Sequence, residues 1–261
     1  MDLFEYNITP MFVRWSFIFL LFVCFGCNTL QPEHLRTFQD AQSAFDAEDY
    51  HQAATLYQQL LDSGVRSGAV YYNIGNAYAK ADEPALAVAA YCLAKRYIPT
   101  DPHLNANLRT VLTDNGGTLH STENFIADTL LFWQNKVGYD TKIWYSLVLT
   151  VVTFLGGVIC LYRPSKRLKR CLAGFAILTA VALVSVGYDW HRFDVIEQVI
   201  VTEHAVPRKG NSEQYAPAFV APIPFGTLAV ILDERKDWYF LRFLGGQEGW
   251  LPQRQTVKMR L

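Results

Sequence analysis

Runs of apolar residues and the intervals between them divide the chain into three kinds of segment. In residues 35–113 apolar positions recur at helical spacing, as in Leu104, Leu108 and Leu112. Residues 143–162 and 171–188 carry no charged side chain at all. From about residue 195 apolar and polar positions alternate, which predicts strands. The pattern therefore predicts a multi-domain chain with a helical segment, two apolar helices and a C-terminal β domain.

The two uncharged runs are long enough to cross a membrane. At 1.5 Å per residue, twenty helical residues span about 30 Å and eighteen span about 27 Å. Two buried core helices are the alternative. Two such runs in tandem, with aromatic residues near their ends, favour a two-helix transmembrane hairpin. Those aromatic residues are Trp144, Tyr145, Tyr162, Tyr188 and Trp190.

The segment between the runs, residues 163–170, holds five cations. They are Arg163, Lys166, Arg167, Lys169 and Arg170. Lys and Arg on short loops stay in the cytoplasm, whereas residues 134–142 and 189–197 contain only three cations between them. We therefore expect a cytoplasmic loop, with everything before residue 143 and after residue 190 outside the cytoplasm.

Residues 1–27 are predicted to form a signal peptide. Arg14 precedes about a dozen apolar residues, which is too short a run to span a membrane. Two acids near the start make Met11 an alternative to Met1 as the initiating residue. Cys27 follows Gly and fits a bacterial lipoprotein cleavage site, so it is a candidate for lipidation. Ordinary cleavage or an uncleaved anchor is the alternative.

The helical segment repeats itself at an offset of 34 residues. Ala53 falls on Ala87, and Tyr57 falls on Tyr91. This period is typical of tetratricopeptide repeats, and the second copy resembles their consensus. The matching positions are Tyr71, Ile74, Gly75, Tyr78, Ala87, Tyr91, Ala94 and Pro99. Residues 35–113 are therefore predicted to be two repeats and a capping helix.

Repeats of this kind bind partners on a concave face lined by the first helix of each pair. In the second copy that face is predicted to carry Tyr72, Asn73, Asn76 and Lys80. The two Asn residues are at positions that resemble part of a carboxylate-binding clamp. Because His103 and Asn107 stand where the third unit would supply Lys and Arg, we expect hydrogen bonds to an extended peptide backbone instead. A purely solvated face is the alternative.

A linker is predicted over residues 114–142. It begins with a turn-rich stretch and continues with apolar residues at helical spacing, from Ile126 to Trp133. This second part is expected either to lie along the membrane surface or to pack on the repeats.

Residues 195–261 predict five short strands, with a hairpin turn at Gly245-Gly246. The segment resembles the bacterial Src-homology-3 domain, most clearly at Gly226-Thr227, Asp237-Trp238 and Gly249-Trp250-Leu251-Pro252. The resemblance implies a small five-stranded barrel in which Trp238 and Pro252 line a ligand groove. A place for the tryptophans in the barrel core is the alternative.

The order of these modules is similar to that of the BatE-type family of aerotolerance proteins. The resemblance implies a two-pass protein of the bacterial inner membrane with its repeat and barrel domains in the periplasm. Its implied role is that of an adaptor beside membrane proteins with von Willebrand A domains and a MoxR-type AAA ATPase. An envelope sensor that binds peptidoglycan through the barrel domain is the alternative.

Other functions find little support in the residues. The net charge of −1 indicates no preference for nucleic acid. No Gly-rich phosphate loop and no nucleophile or zinc motif is present, so we expect neither an enzyme nor a cofactor or metal site. The five cysteines do not form a disulfide framework, because most of them lie in or beside apolar runs.

Overall fold

The computed structural model describes residues 32–117, 132–243 and 245–259. Residues Thr37–Leu261 form one compact unit. The predicted signal peptide, the candidate lipidation site Cys27 and residues 118–131 of the linker lie outside the described residues.

Five helices open the described part of the chain. They are α1 (Pro32–Asp46), α2 (Tyr50–Asp62), α3 (Gly68–Lys80), α4 (Pro84–Ala94) and α5 (Pro102–Asp114). Side-chain caps fix where they begin, because Asp49, Ser67 and Asp101 each accept a bond from the backbone N–H three residues later. Pro84 and Pro102 stand in the first turns of α4 and α5, where a missing N–H costs nothing. The predicted series of helices over residues 35–113 is confirmed.

Small residues allow α3 and α4 to pack closely. A Cβ atom placed on Gly75 would lie 2.4 Å from the ring of Tyr91, and Ala87 is fully buried in the same core. The ring of Tyr91 thus occupies the space that a side chain at position 75 would need. This contact explains why position 75, at the crossing of the two helices, is a glycine.

Three further helices follow: α6 (Phe132–Lys136), α7 (Tyr139–Tyr162) and α8 (Lys166–Trp190). Both α7 and α8 are long and apolar enough to cross a membrane. Only 6% and 17% of the residues in their most apolar windows are buried, so they are not covered as core helices would be. The packing of α7 on α8 includes a hydrogen bond of 2.9 Å between the hydroxyls of Thr153 and Thr179.

The two helices extend beyond the uncharged runs from which they were predicted. α7 begins at Tyr139 rather than at Ile143, and α8 begins at Lys166 rather than at Cys171. A helix continues through charged residues when its backbone bonds are made, and Ser165 caps α8 by accepting from the N–H of Leu168. Only residues 163–165 therefore form the non-helical turn.

The C-terminal part is a five-stranded antiparallel sheet, as predicted. A π-helical turn (His191–Val195) leads into β1 (Gln198–Val201), β2 (Leu228–Arg235), β3 (Trp238–Phe243), β4 (Glu248–Pro252) and β5 (Thr256–Lys258). The strand order is β4-β3-β2-β1-β5. Gly245 and Gly246 form the turn between β3 and β4 with φ of 95° and 81°, which other residues adopt only with strain.

The sheet and the helices share one hydrophobic core. Ile200 from β1, Phe225 and Met259 are buried in the same cluster as the residues of α2 to α5. α4 contacts β1 and β5 as well as α3 and α5. A second cluster, including Leu241 and Leu251, lies within the sheet itself.

The close crossing of α3 and α4 can be tested with Gly75→Ala. The added methyl group would overlap the Tyr91 ring, so we expect the free energy of unfolding to fall by about 1–3 kcal/mol. Gly174→Ala is the matched control, since Gly174 is also helical and has no atom within 4 Å of an added Cβ. Thermal unfolding of the detergent-solubilised chain, followed by circular dichroism, measures both. Equal stability of the two variants would contradict the close crossing.

Candidate functional site

Two of the four predicted concave-face residues meet in a hydrogen-bond network between α3, α4 and α5. Asn107 Nδ2 donates to Tyr72 Oη at 3.0 Å and to Asn76 Oδ1 at 2.9 Å. The hydroxyl of Tyr91 donates to the same Asn76 oxygen at 2.8 Å. The side-chain carbonyl of Asn76 thus already accepts two hydrogen bonds within the protein. These bonds hold α3, α4 and α5 in place relative to one another.

The phenol group of Tyr91 remains a neutral donor at ordinary pH. Burial raises the pKa of Tyr91, the nearby Tyr72 raises it further, and the hydrogen bond with Asn107 lowers it in part. An ionised Tyr91 could not donate to Asn76. The network is therefore complete over the whole physiological range.

The other two predicted residues lie apart from this network. Asn73 is hydrogen-bonded to Tyr57, whose hydroxyl donates to Gln42 Oε1 of α1 at 3.3 Å. Lys80 is exposed in the last turn of α3. Exposed residues on the same face include Ala69, one turn before Tyr72, and His103, one turn before Asn107. A partner bound to this face would contact these exposed residues, and the hydrogen-bond network beneath them would keep the helices in position.

The two predicted groove residues of the sheet lie side by side. Trp238 and Pro252 are register partners of β3 and β4. They line an open groove of about 720 Å³ together with residues 211–214, 237, 253 and 254. Glu213 and Arg254, both exposed, form an ion pair at 2.5 Å among these lining residues.

The two tryptophans of the β domain differ in their surroundings. Trp238 is partly exposed in the groove, whereas Trp250 is buried, with its ring 5.2 Å from that of Phe240. Trp238 is thus available to a ligand. The alternative of a core position fits Trp250.

A buried ion pair lies where α7 begins and α8 ends. Lys142 Nζ is 2.6 Å from Asp189 Oδ2, and their side chains are only 1% and 7% exposed. Gln134 of α6 completes the cluster, since its backbone oxygen accepts from Lys142 at 2.8 Å and its side-chain amide donates to Asp189. Ser185 donates to Gln134 Oε1 at 2.6 Å. We call Gln134, Lys142, Ser185 and Asp189 the basal polar cluster.

Arg96 lies just after α4. It joins the helical hairpins, by which we mean α1 with α2 and α3 with α4, to the long apolar helices α7 and α8. Its guanidinium group lies 4.0 Å from the centroid of the Tyr139 ring and 5.2 Å from that of Phe193. It also forms an ion pair with Asp194 at 2.6 Å. The backbone oxygen of Arg96 accepts from the N–H of Tyr139 at 2.9 Å. We call Arg96, Tyr139, Phe193 and Asp194 the Arg96 junction.

Glycine is required beside this junction. A Cβ atom on Gly138 would lie 1.9 Å from the backbone oxygen of Tyr97, so the start of α7 touches the end of the helical hairpins without a side chain between them. The helices α7 and α8 are therefore held to the hairpins by backbone contact and by Arg96, while the basal polar cluster joins α6, α7 and α8 to one another.

The five cations, Arg163 in the turn and the other four in the first residues of α8, are all exposed. They lie at the opposite end of these helices from the basal polar cluster. Within the described residues, no group of three His, Cys, Asp or Glu side chains is arranged to hold a metal ion.

No protein-family model matches the chain, and a search of curated proteins also finds no match. The family resemblance therefore stays a prediction.

The sequence contained a signal for the basal polar cluster that the prediction did not use. Lys142 directly precedes the first uncharged run, and Asp189 directly follows the second. A hairpin brings these two ends together, so opposite charges there indicate a pair. Arg96 has no comparable signal, because its partners come from residues 139 and 193–194.

The basal polar cluster can be tested with Lys142→Met. The change leaves the Asp189 carboxylate buried without its cation, and we expect a loss of about 3–5 kcal/mol in the free energy of unfolding. Replacing both residues, as Lys142→Met with Asp189→Leu, should recover most of that loss because no charge remains buried. The same unfolding measurement applies. A single variant as stable as the double variant would show that the pair is not buried in the folded chain.

Proposed function

We propose that this chain is a membrane-anchored adaptor that binds a protein partner on the concave face of its helical hairpins. The observation that carries the proposal is the arrangement of this face. The hydrogen bonds of Asn76 and Asn107 join its helices, and residues such as Ala69 and His103 are exposed on it. The Arg96 junction holds this face to the apolar helices, and the basal polar cluster holds those helices to each other. A partner bound there would be kept at a defined distance from the membrane.

We interpret the helical hairpins with α5 as tetratricopeptide repeats. The 34-residue period and the Gly75–Tyr91 contact support this assignment. We interpret the C-terminal sheet as a Src-homology-3-like barrel, which the Trp238–Pro252 groove supports. Both assignments identify folds that bind peptides or proteins, and neither fold brings catalytic residues with it.

We place α7 and α8 across the bacterial inner membrane, with the basic turn in the cytoplasm. The exposed apolar surface of both helices and the five cations at one end support this placement. The hairpins and the sheet would then lie in the periplasm.

The order of modules supports membership of the BatE-type aerotolerance family. On that basis, the partners would be membrane proteins with von Willebrand A domains and a MoxR-type AAA ATPase. The adaptor would hold these proteins together in response to envelope or oxidative stress.

A second candidate function is favoured by the groove of the sheet. Its partly exposed Trp238 and its polar lining fit a ligand with both apolar and hydrogen-bonding groups. The chain would then be an envelope sensor that binds peptidoglycan, with the apolar helices as its anchor.

The proposed orientation predicts where reporter enzymes are active. Alkaline phosphatase, which folds only outside the cytoplasm, should be active when fused after Leu261 and inactive when inserted after Pro164. A cytoplasm-active reporter at the same two sites should give the opposite result. Phosphatase activity confined to the Pro164 insertion would reverse the orientation and remove both proposed functions from the periplasm.

The adaptor function predicts that Ala69→Arg abolishes co-purification with the von Willebrand A-domain proteins. Ala69 is exposed one turn before Tyr72, so a large charged side chain would obstruct the face without breaking its network. Ala47→Arg, in the exposed turn after α1, is the matched control and should bind normally.

The same preparations distinguish the second candidate. If the chain is a peptidoglycan sensor, it should sediment with purified peptidoglycan, and Trp238→Ala should weaken this binding while Ala69→Arg does not. Co-purification that survives Ala69→Arg would contradict the adaptor proposal. No sedimentation of the wild-type chain would remove the sensor.

A further inference from the structure

A cavity of about 380 Å³ lies where the helical hairpins, the basal polar cluster and the sheet meet. The volume is within the range of small-molecule sites. Apolar side chains from all sides line much of it: Val88, Leu108, Leu112, Phe193, Leu228 and Met259. A ligand in this cavity would need a substantial apolar part.

The cavity wall also carries an excess of positive charge. The cationic residues that line it are Lys95, Arg96, Lys142 and Arg192, and the acidic residue is Asp189. Lys142 is paired with Asp189 in the basal polar cluster, and Arg96 with Asp194. Among the ion pairs formed by the described residues, none involves Lys95 or Arg192. Two cations are thus left to attract an anion.

Arg96 adds an unmet hydrogen-bond donor. Its side chain is only 7% exposed, and its Nε–H is buried with no hydrogen-bond partner in the protein. A buried donor on a charged group that lacks an acceptor is costly. An acceptor atom supplied by a ligand would remove that cost.

Cys92 lines the cavity together with Lys95 and Arg192. Burial raises the pKa of its thiol to about 11, and the charges of Lys95 and Arg192 offset part of that rise. Because the thiol stays protonated, it does not repel an anion held between them.

We propose that this cavity binds a single-chain amphipathic anion of the fatty-acid type. Its carboxylate would lie near Cys92, between Lys95 and Arg192 and within reach of the Arg96 Nε–H. Its alkyl chain would contact the apolar wall. The basal polar cluster in the same wall places the cavity beside the ends of α7 and α8, where a membrane amphiphile is close at hand. This last point rests on the proposed membrane placement, whereas binding itself does not.

Three probes separate the contributions of charge and chain. The full chain is reconstituted in nanodiscs of zwitterionic lipid and heated with decanoate, with decanol or with inorganic phosphate. Decanoate at about a hundred times its Kd should raise the unfolding temperature by about 5 °C. Decanol and phosphate should raise it far less, because each lacks one half of the interaction.

Two variants locate the site. Lys95→Gln with Arg192→Gln should weaken decanoate binding at least tenfold and leave the effect of decanol unchanged. Cys92→Phe should fill the cavity and abolish the decanoate shift. Should Cys92→Phe fail to fold, the first variant still decides, since Arg192 is exposed and Lys95 only half-buried.

A photoactivatable decanoate then identifies the contacted residues. We expect labelled peptides from residues 84–112 and 225–228. An equal shift with decanol, an equal shift with phosphate, or labelling confined to α7 and α8 would each overturn the proposal. No shift with any probe would show that the cavity holds only water. The reporter fusions test the membrane orientation and do not depend on anion binding. A failure of the anion-binding proposal can therefore be told apart from a failure of the proposed function.

Discussion

The buried pair of Lys142 and Asp189 determines how the two long helices meet the rest of the chain. Each charge would be costly in an apolar environment if it stood alone, and the penalty is offset only when the pair is close and its other hydrogen bonds are made. Here the separation is 2.6 Å, Gln134 bonds to both charged groups, and Ser185 donates to the side-chain oxygen of Gln134. These bonds depend on α6 as well as on α7 and α8. The three helices therefore have one favourable arrangement where α7 begins and α8 ends.

The Arg96 junction carries this arrangement into the helical hairpins. Arg96 lies at the end of α4, its backbone oxygen binds the first residue of α7, and its guanidinium group contacts the turn after α8. The helical hairpins and the long apolar helices therefore meet through packed contacts. For an adaptor, such contacts would keep a bound partner in a fixed position, which a flexible linker of similar length would not.

Periodicity in the sequence was sufficient to predict the elements, but not which side chains meet. The uncharged runs predicted α7 and α8, the alternating residues predicted five strands, and Gly245-Gly246 predicted the turn between β3 and β4. These features depend on neighbouring residues. The internal role of Asn76 could not be predicted in the same way, because it depends on how α5 brings Asn107 against α3. Similarly, Arg96 acquires its partners from residues more than forty positions away.

The packing of α4 explains how so short an array of hairpins can be stable. A repeat cannot bury its own apolar face, and about three units are usually needed. α4 is buried on nearly all sides, since it contacts α3, α5 and two strands of the sheet. β1 and β5 therefore cover a side of α4 that α3 and α5 leave open. The side formed by α3 and α5 keeps exposed residues, so the sheet stabilises the hairpins without covering the face on which the proposed partner would bind.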